Sequence, residues 1–243
     1  MKIPRTRIVA SPNLECWAAL AAEVIGEAVA DSISSRGMCD LMLAGGETAG
    51  RLYAHWARMT DPPLRRIRIL FGDDRCVPPD HADSNYAQVM RTLLVRGAPS
   101  GCSIERMRAE DPDREAAARA YESLLPERID VLLLGLGTDG HVASLFPGSP
   151  TLLQGDRSVV PVTGPKPPIE RLTITPKVIT GARRVFLLAT GAEKGRILAR
   201  ALEAHVDILT LPVQATLGRT WVLDAEAECQ IRKDGTFLKE SVH

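Results

Sequence analysis

Short apolar runs alternate with longer segments of helical periodicity along most of the chain. Runs of four to six apolar residues favour buried strands, and apolar residues spaced three or four apart favour helices. In the first such helix, the residues near one face are Leu14, Trp17, Ala18, Ala21, Val24, Ile25 and Ala28. The predicted strands are 7–10, 40–44, 67–71, 129–134, 172–175, 184–189 and 220–223. The predicted helices are 13–35, 48–58, 85–94 with Ser84 as N-cap, 112–125 with Pro112 just inside its start, and 192–203.

This alternation of strands and helices predicts an α/β fold with a mainly parallel sheet and helices on both faces. The strand 129–134 is apolar enough to be buried on both of its faces. We expect 72–83 to be a polar loop and 148–168, rich in Gly and Pro, to be an irregular segment beside the site. No repeat or change of composition marks a boundary, so residues 1–243 are predicted to form one domain.

Composition narrows the choice of partner and compartment. The formal net charge is +0, so any anion must be held by a local site, and nucleic acid is not an expected partner. The five cysteines are widely spaced without a C-x-x-C pair, which favours reduced thiols over a zinc site or disulfides. Residues 1–7 lack the apolar core of a signal peptide, and no stretch has the length of a membrane span. We therefore expect a cytoplasmic protein without a membrane partner.

A pair of glycines follows the second predicted strand, in the segment Ala44-Gly45-Gly46-Glu47-Thr48. In open α/β sheets, ligands bind beyond the carboxyl ends of the strands. Paired glycines let backbone N–H groups approach an anion, and the N-terminus of the next helix favours negative charge. A tight turn that needs a positive φ explains the glycines equally well.

The second candidate segment follows the third predicted strand and reads Gly72-Asp73-Asp74-Arg75, with Asp83-Ser84-Asn85-Tyr86 after it. The Arg75 guanidinium can bind a phosphate through two parallel hydrogen bonds. Asp73, next to the strand end, can accept hydrogen bonds from sugar hydroxyls or take part in proton transfer. A solvated charged loop is the alternative interpretation.

The third candidate segment runs from Leu134 to His141 and contains a formal G-x-G-x-x-G. A dinucleotide site is not favoured, because Pro147 and Pro150 would interrupt the helix that such a site requires. His141 follows glycines rather than an apolar stripe, and Asp139 is placed to orient its ring and fix its tautomer. This combination favours a general base.

One more cation, Lys194, follows the predicted strand 184–189 and opens a helix. An ammonium at this position can meet a phosphate at the edge of the sheet, although most such lysines are solvated surface charges. Together the four segments predict a pocket for a phosphorylated sugar.

The same segments resemble the 6-phosphogluconolactonases, which belong to the larger superfamily of glucosamine-6-phosphate deaminases and isomerases. The block from Gly135 to Gly148 is the most specific and is similar to G-x-G-x-D-G-H-T-A-S-L-F-P-G. The segments at 43–49, 73–78 and 83–86 resemble S-G-G-S-T-P, D-E-R-x-V-P and D-S-N-Y, and the segments 171–175 and 191–194 follow in the family's order. This chain has Glu47, Ala49 and Asp74 where the family usually has Ser, Pro and Glu.

The resemblance implies a Rossmann-like, three-layer sandwich of the NagB type. It implies hydrolysis of 6-phospho-D-glucono-1,5-lactone to 6-phosphogluconate in the oxidative pentose phosphate pathway, with no metal or organic cofactor. His141 would activate water with the help of Asp139. The substrate would be bound by Gly45, Gly46, Thr48, Asp73, Arg75, Ser84, Asn85, Arg171 and Lys194. We expect this lactone as the only partner, and a monomer is plausible.

Three other functions can be compared with this one. The deaminase branch shares Asp73, Asp139 and His141 but carries a glutamate where this chain has Phe146, which cannot transfer a proton. A non-catalytic sugar-phosphate sensor would need a DNA-binding module, and no helix-turn-helix segment or basic extension is evident. A serine hydrolase is excluded by the lack of a G-x-S-x-G motif.

Overall fold

A computed structural model describes residues 5–59, 62–203 and 205–233 of the chain, apart from the side chain of Lys233. Its strands are β1 (Arg7–Ala10), β2 (Cys39–Leu43), β3 (Ile67–Phe71), β4 (Asp73–Arg75), β5 (Ser103–Ile104), β6 (Val131–Gly135), β7 (Val159–Thr163), β8 (Glu170–Ile174), β9 (Arg184–Ala189) and β10 (Thr220–Leu223). Its helices are α1 (Leu14–Arg36), α2 (Glu47–Arg58), α3 (Asn85–Thr92), α4 (Arg114–Glu122), α5 (Pro176–Gly181), α6 (Ala192–Glu203) and α7 (Ala225–Lys233).

Seven of the strands form one parallel sheet in the order β1-β10-β9-β6-β2-β3-β5. The predicted parallel sheet is therefore present. In this order β9, β6, β2 and β3 are neighbours and run in the same direction, although β6 and β9 are far from β2 and β3 in sequence. Their carboxyl ends consequently meet at one edge, which is where a ligand binds in sheets of this kind.

Two apolar clusters cover the two faces of this sheet, as the predicted three-layer arrangement requires. One contains Trp17 and Trp56 with Leu41 and Leu43 of β2, and the other contains Met42 of β2 with residues of α4 and α6. Alternate residues of β2 thus enter opposite clusters, because successive side chains of a strand point to opposite faces. Most of the predicted face of α1 is buried or half-buried, but Leu14, its first residue, is exposed.

A second, smaller sheet corrects two predictions. It has the order β4-β8-β7 and is antiparallel. The segment predicted as a polar loop, 72–83, contributes β4, and the segment predicted as irregular, 148–168, contributes β7 and a short 3₁₀ helix at Pro150–Leu153. β4 has no apolar run, and it pairs with β8 about a hundred residues further along the chain. β7 is joined to β8 by only the six residues 164–169, but Pro161 interrupts its valines, and proline is unfavourable within a strand.

Helix ends agree with their capping chemistry, with one correction. Ser84 is the N-cap of α3, as predicted, and its hydroxyl accepts a hydrogen bond from the N–H of Ala87 at 3.1 Å. Pro112 is not inside α4, because Asp113 is the N-cap and accepts from the N–H of Ala116 at 2.9 Å. The sequence analysis missed β5, α5 and α7.

The prediction of one domain covers residues 1–4 and 234–243, which lie outside the described residues, and stays a prediction. None of the described helices combines the length and hydropathy that a bilayer crossing requires. All five cysteines are described, and all five are free thiols.

Candidate active site

A cleft opens at the carboxyl ends of β2, β3 and β6. Lys194, the third residue of α6, reaches this cleft from the side of β9. The glycine loop, defined as residues 44–48, forms one wall, and the Gly-rich loop after β6 forms another. Most of the predicted site residues line this cleft: Gly45, Gly46, Thr48, Asp73, Arg75, Asn85, His141, Arg171 and Lys194. The four segments singled out in the sequence therefore do converge.

The imidazole of His141 is oriented by its own loop. Its Nδ1 lies 2.5 Å from Oδ1 of Asp139, and the same oxygen accepts from the backbone N–H of His141 at 3.2 Å. A neutral ring that donates from Nδ1 to a carboxylate has its lone pair on Nε2, so the geometry favours this tautomer. Among the described residues, Nε2 has no hydrogen-bond partner, and it is therefore the ring nitrogen available to a ligand.

Gly137 makes this position of the ring possible. A Cβ added to Gly137 would lie 2.1 Å from Cε1 and Nδ1 of His141. The N–H of Gly137 also donates to the backbone oxygen of His141 at 2.9 Å, which closes the loop on itself. A glycine is required here for space, not for a dinucleotide: no helix follows the loop before residue 150.

Asp139 does not line the cleft itself and acts on it through the ring. Burial alone would raise the pKa of Asp139, but the hydrogen bond and the charge of His141 lower it below its ordinary value. The carboxylate is thus kept ionised beside the imidazole, where it stabilises a positive charge on the ring.

Phe146 packs between the imidazole and a cation. The ring centroids of Phe146 and His141 are 4.8 Å apart. The guanidinium carbon of Arg171 lies 5.4 Å from the Phe146 ring centroid. A Cβ on Gly164 would come within 3.1 Å of both Phe146 and Arg171, so this glycine leaves room for the pair. Sequence reasoning identified Phe146 only by its lack of a titratable group and did not indicate these contacts.

Two arginines lie opposite each other on paired strands of the small sheet. Arg75 of β4 is the register partner of Arg171 of β8, and like charges directly opposite each other on antiparallel strands repel. Burial lowers the pKa of Arg171; the carboxylate of Asp73 opposes this, and the charge of Arg75 adds to it. Nε of Arg75 is buried without a hydrogen-bond partner among the described residues. An anion bound in the cleft beside these two groups would relieve the repulsion.

Lys194 brings a third cation to the cleft, at the glycine loop. Its Nζ donates to Oγ1 of Thr48 at 3.2 Å, and this hydroxyl lies 3.3 Å from that of Thr190. Burial lowers the pKa of Lys194, and the charge of Glu47 partly offsets this effect.

The unusual Glu47 of the glycine loop lies at the rim. Its side chain is 84% exposed, and its carboxylate pairs with Arg51 one turn along α2 at 2.7 Å. The carboxylate therefore points to solvent, and it does not occupy the place of a bound phosphate.

Asp73 is buried at the floor of the cleft with both carboxylate oxygens occupied. Oδ1 accepts from the side-chain amide of Asn85 at 3.1 Å, and Oδ2 accepts from the hydroxyl of Ser144 at 2.6 Å. The backbone N–H of Ser144 in turn donates to Oγ1 of Thr173 at 3.1 Å. Neither Ser144 nor Thr173 was singled out from the sequence, since residues 71 and 29 positions apart meet only in the fold.

Ser84 is the one predicted binding residue that lies away from the cleft. It is buried, and its hydroxyl donates to Oδ2 of Asp74 at 3.1 Å while it caps α3. The other oxygen of Asp74 accepts from the N–H of Asn85 at 2.7 Å. Asp74 and Ser84 together thus fix the start of α3 and, through it, Asn85.

Residues 12–222 match the family described as glucosamine-6-phosphate isomerases/6-phosphogluconolactonase. A protein of Mycobacterium tuberculosis named 6-phosphogluconolactonase is 32% identical over 238 residues, which cover 90% of this chain and 96% of that protein. The human protein of the same name is 34% identical over 234 residues, which cover 90% and 91% of the two chains.

A solved structure gives the same result for the fold. The 6-phosphogluconolactonase of Trypanosoma brucei superposes with a TM-score of 0.80 at 29% identity and covers 95% of this chain and 100% of its own. The resemblance drawn from the sequence motifs and the predicted α/β sandwich are both confirmed.

Proposed function

Because the chain belongs to the glucosamine-6-phosphate isomerase/6-phosphogluconolactonase family, we propose that it hydrolyses 6-phospho-D-glucono-1,5-lactone to 6-phosphogluconate. One observation supports this cleft as the active site and lactone hydrolysis as its reaction. A carboxylate-bound imidazole, that of His141, lines the same cleft as three cations, Arg75, Arg171 and Lys194. This arrangement suits a substrate with an electrophilic carbonyl at one end and a phosphate at the other.

In the proposed mechanism, Nε2 of His141 removes a proton from water as the water oxygen attacks the lactone carbonyl carbon. The tetrahedral intermediate then collapses: the bond to the ring oxygen breaks, and the proton carried by His141 passes to that oxygen. The product is the open-chain acid, and the imidazole is neutral again. Asp139 stabilises the transient imidazolium through Nδ1. General base catalysis of this kind supplies about 10²–10⁴-fold in rate.

The phosphate is proposed to bind between Arg75, Lys194 and the glycine loop. The N-terminus of α2 offers N–H groups that have no acceptor within the helix, together with a favourable dipole. Thr48, already bonded to Lys194, stands beside them. Binding the remote phosphate positions the reacting carbonyl, which lowers the entropy cost of the attack.

The hydroxyl groups of the sugar are proposed to contact the floor and far wall of the cleft. Asp73, Asn85 and Arg171 line it there, and the Asp73 carboxylate is held rigidly by two neighbouring side chains. A rigid acceptor selects hydroxyl orientation better than a mobile one. Ser84 contributes only through the position of Asn85.

The deaminase alternative is disfavoured by a specific contact. Phe146 is 6% exposed and packs against the His141 ring, so an apolar group occupies the position where the deaminase branch carries a proton-transferring carboxylate. No observation on the described residues favours a non-catalytic sensor, and the complete pair of His141 and Asp139 supports catalysis.

The cytoplasm is the compartment we propose for this reaction, with the chain acting alone on a small-molecule substrate. Five free cysteines support a reducing environment, because such compartments keep thiols reduced.

The test is a direct assay of hydrolysis with 6-phosphogluconolactone and with unphosphorylated gluconolactone, beside a deaminase assay on glucosamine 6-phosphate. We expect hydrolysis of the first lactone with a much higher kcat/KM than of the second, and no release of ammonia. Ammonia release without lactone hydrolysis would overturn the proposal, and so would equal kcat/KM on the two lactones.

A further inference from the structure

The glycine loop is held from both sides by side chains of two helices. On one side, the hydroxyl of Tyr53 accepts from the N–H of Ala44 at 3.1 Å and donates to its oxygen at 2.6 Å. On the other side, the side-chain amide of Gln88 accepts from the N–H of Gly46 at 3.0 Å and donates to its oxygen at 2.9 Å. Each side chain thus bonds both backbone groups of one residue.

The reciprocal pair at Gly46 fixes two peptide planes at once. Gly46 has φ +92°, a backbone conformation that favours glycine, and it is the N-cap of α2 without a side chain of its own. Its N–H belongs to the peptide before it, and its oxygen belongs to the peptide that opens the helix, where it also accepts from Gly50 at 3.0 Å. The amide of Gln88 therefore sets the angle at which the N-terminus of α2 meets the cleft.

Two glycines make room for side chains of α3: Gly50 for Gln88, and Gly45 for Asn85. A Cβ on Gly50 would lie 2.8 Å from Nε2 of Gln88, and a Cβ on Gly45 would lie 1.9 Å from Oδ1 of Asn85. Asn85 and Gln88 are three residues apart on α3 and therefore share one face of that helix. Glycine weakens a helix interior, so the presence of Gly50 within α2 is explained by the space that Gln88 needs.

We propose that Gln88 is a positioning residue for phosphate binding. It occupies the N–H of Gly46, so that the anion meets the first-turn N–H groups of α2, at Glu47 and Thr48, beside Lys194. This inference rests on the proposed function, because it assumes that the phosphate binds at the glycine loop. Gln88 does not line the cleft, so we expect it to act on the phosphate only through the glycine loop.

The first variant is Gln88→Met, which keeps the length of the side chain and removes both hydrogen bonds. We expect KM for 6-phosphogluconolactone to rise about tenfold, the equivalent of about 1.4 kcal/mol, with kcat within about twofold. Hydrolysis of unphosphorylated gluconolactone should not change. Gln230→Met, at a half-buried position of α7 away from the cleft, is the matched control and should behave like the unmodified protein.

The second variant, Gly50→Ala, separates positioning from stability. The new methyl group displaces the end of the Gln88 side chain while alanine favours the helix, so KM should rise although the thermal midpoint is kept or raised. A purely structural role would instead tie any rise in KM to a loss of stability.

Unchanged KM in Gln88→Met would overturn the inference, and so would an equal loss on both lactones. Arg75→Ala and Lys194→Ala distinguish this failure from that of the proposed phosphate site. If they raise KM and Gln88→Met does not, only the role of Gln88 is wrong. If neither raises KM, the phosphate binds elsewhere and both proposals fail.

Discussion

Replacement of Asp139 by asparagine is the sharpest test of the proposed base. Asp139→Asn keeps the shape of the side chain but removes the charge that lies against Nδ1 of His141 at 2.5 Å. Opposite unit charges about 4 Å apart interact by about 1 kcal/mol in water and about 4 kcal/mol at an effective dielectric constant of 20. The side chains of His141 and Asp139 are 27% and 41% exposed, so the value for this half-open site lies between the two.

This interaction acts on the transition state, in which the ring becomes positive, and not on the bound substrate. We therefore expect kcat to fall by about 10- to 10³-fold while KM changes by less than about twofold. Asp80→Asn, on an exposed position, is the control for the loss of one surface carboxylate. A steady-state assay suffices. A kcat within about twofold of the original, or a loss that appears entirely in KM, would refute the role of Asp139.

Three further predictions concern the other groups of the cleft. His141→Ala should lower kcat by about 10²–10⁴-fold with a modest change in KM, and an unchanged kcat would reject the base. Arg75→Ala should raise KM for the phosphorylated lactone by about 10- to 100-fold, since a hydrogen bond to a charged group is worth about 1.5–3 kcal/mol; an equal loss on unphosphorylated lactone would contradict this. Burial lowers the pKa of Lys194 from its ordinary value, so product inhibition by 6-phosphogluconate should weaken with rising pH earlier than an ordinary lysine would allow. Lys194→Arg should abolish this weakening of inhibition at alkaline pH. If inhibition depends on pH in the same way in both proteins, Lys194 does not bind the phosphate as proposed.

The central sheet could be predicted because each of its longer strands is a local apolar run. Val131–Gly135 and Arg184–Ala189 are buried along nearly their whole length, and a parallel sheet requires this of its central strands. In the small sheet only β8 was predicted, as the strand 172–175. Asp73–Arg75 is a strand of three charged residues, and its pairing with β8 joins positions about a hundred residues apart.

The site could be predicted where the chemistry is unusual for a loop, as at His141 after its glycines. The groups that hold it in place could not. Ser144 meets Asp73 across 71 positions and Gln88 meets Gly46 across 42, and neither Ser144 nor Gln88 is unusual in its own surroundings. Ser84 was named both as a helix N-cap and, from the motif, as a binding residue; the structure shows the cap, and the binding role stays a prediction.

The pairing of Arg75 with Arg171 on adjacent strands limits which substitutions evolution can accept at these two positions. A neutral residue at one of these two positions would remove the repulsion between like charges, but it would also weaken the binding of an anionic ligand. Stability and activity are opposed at these two positions. At the small antiparallel sheet that brings these two residues together, selection for ligand binding would therefore oppose substitutions that remove the repulsion.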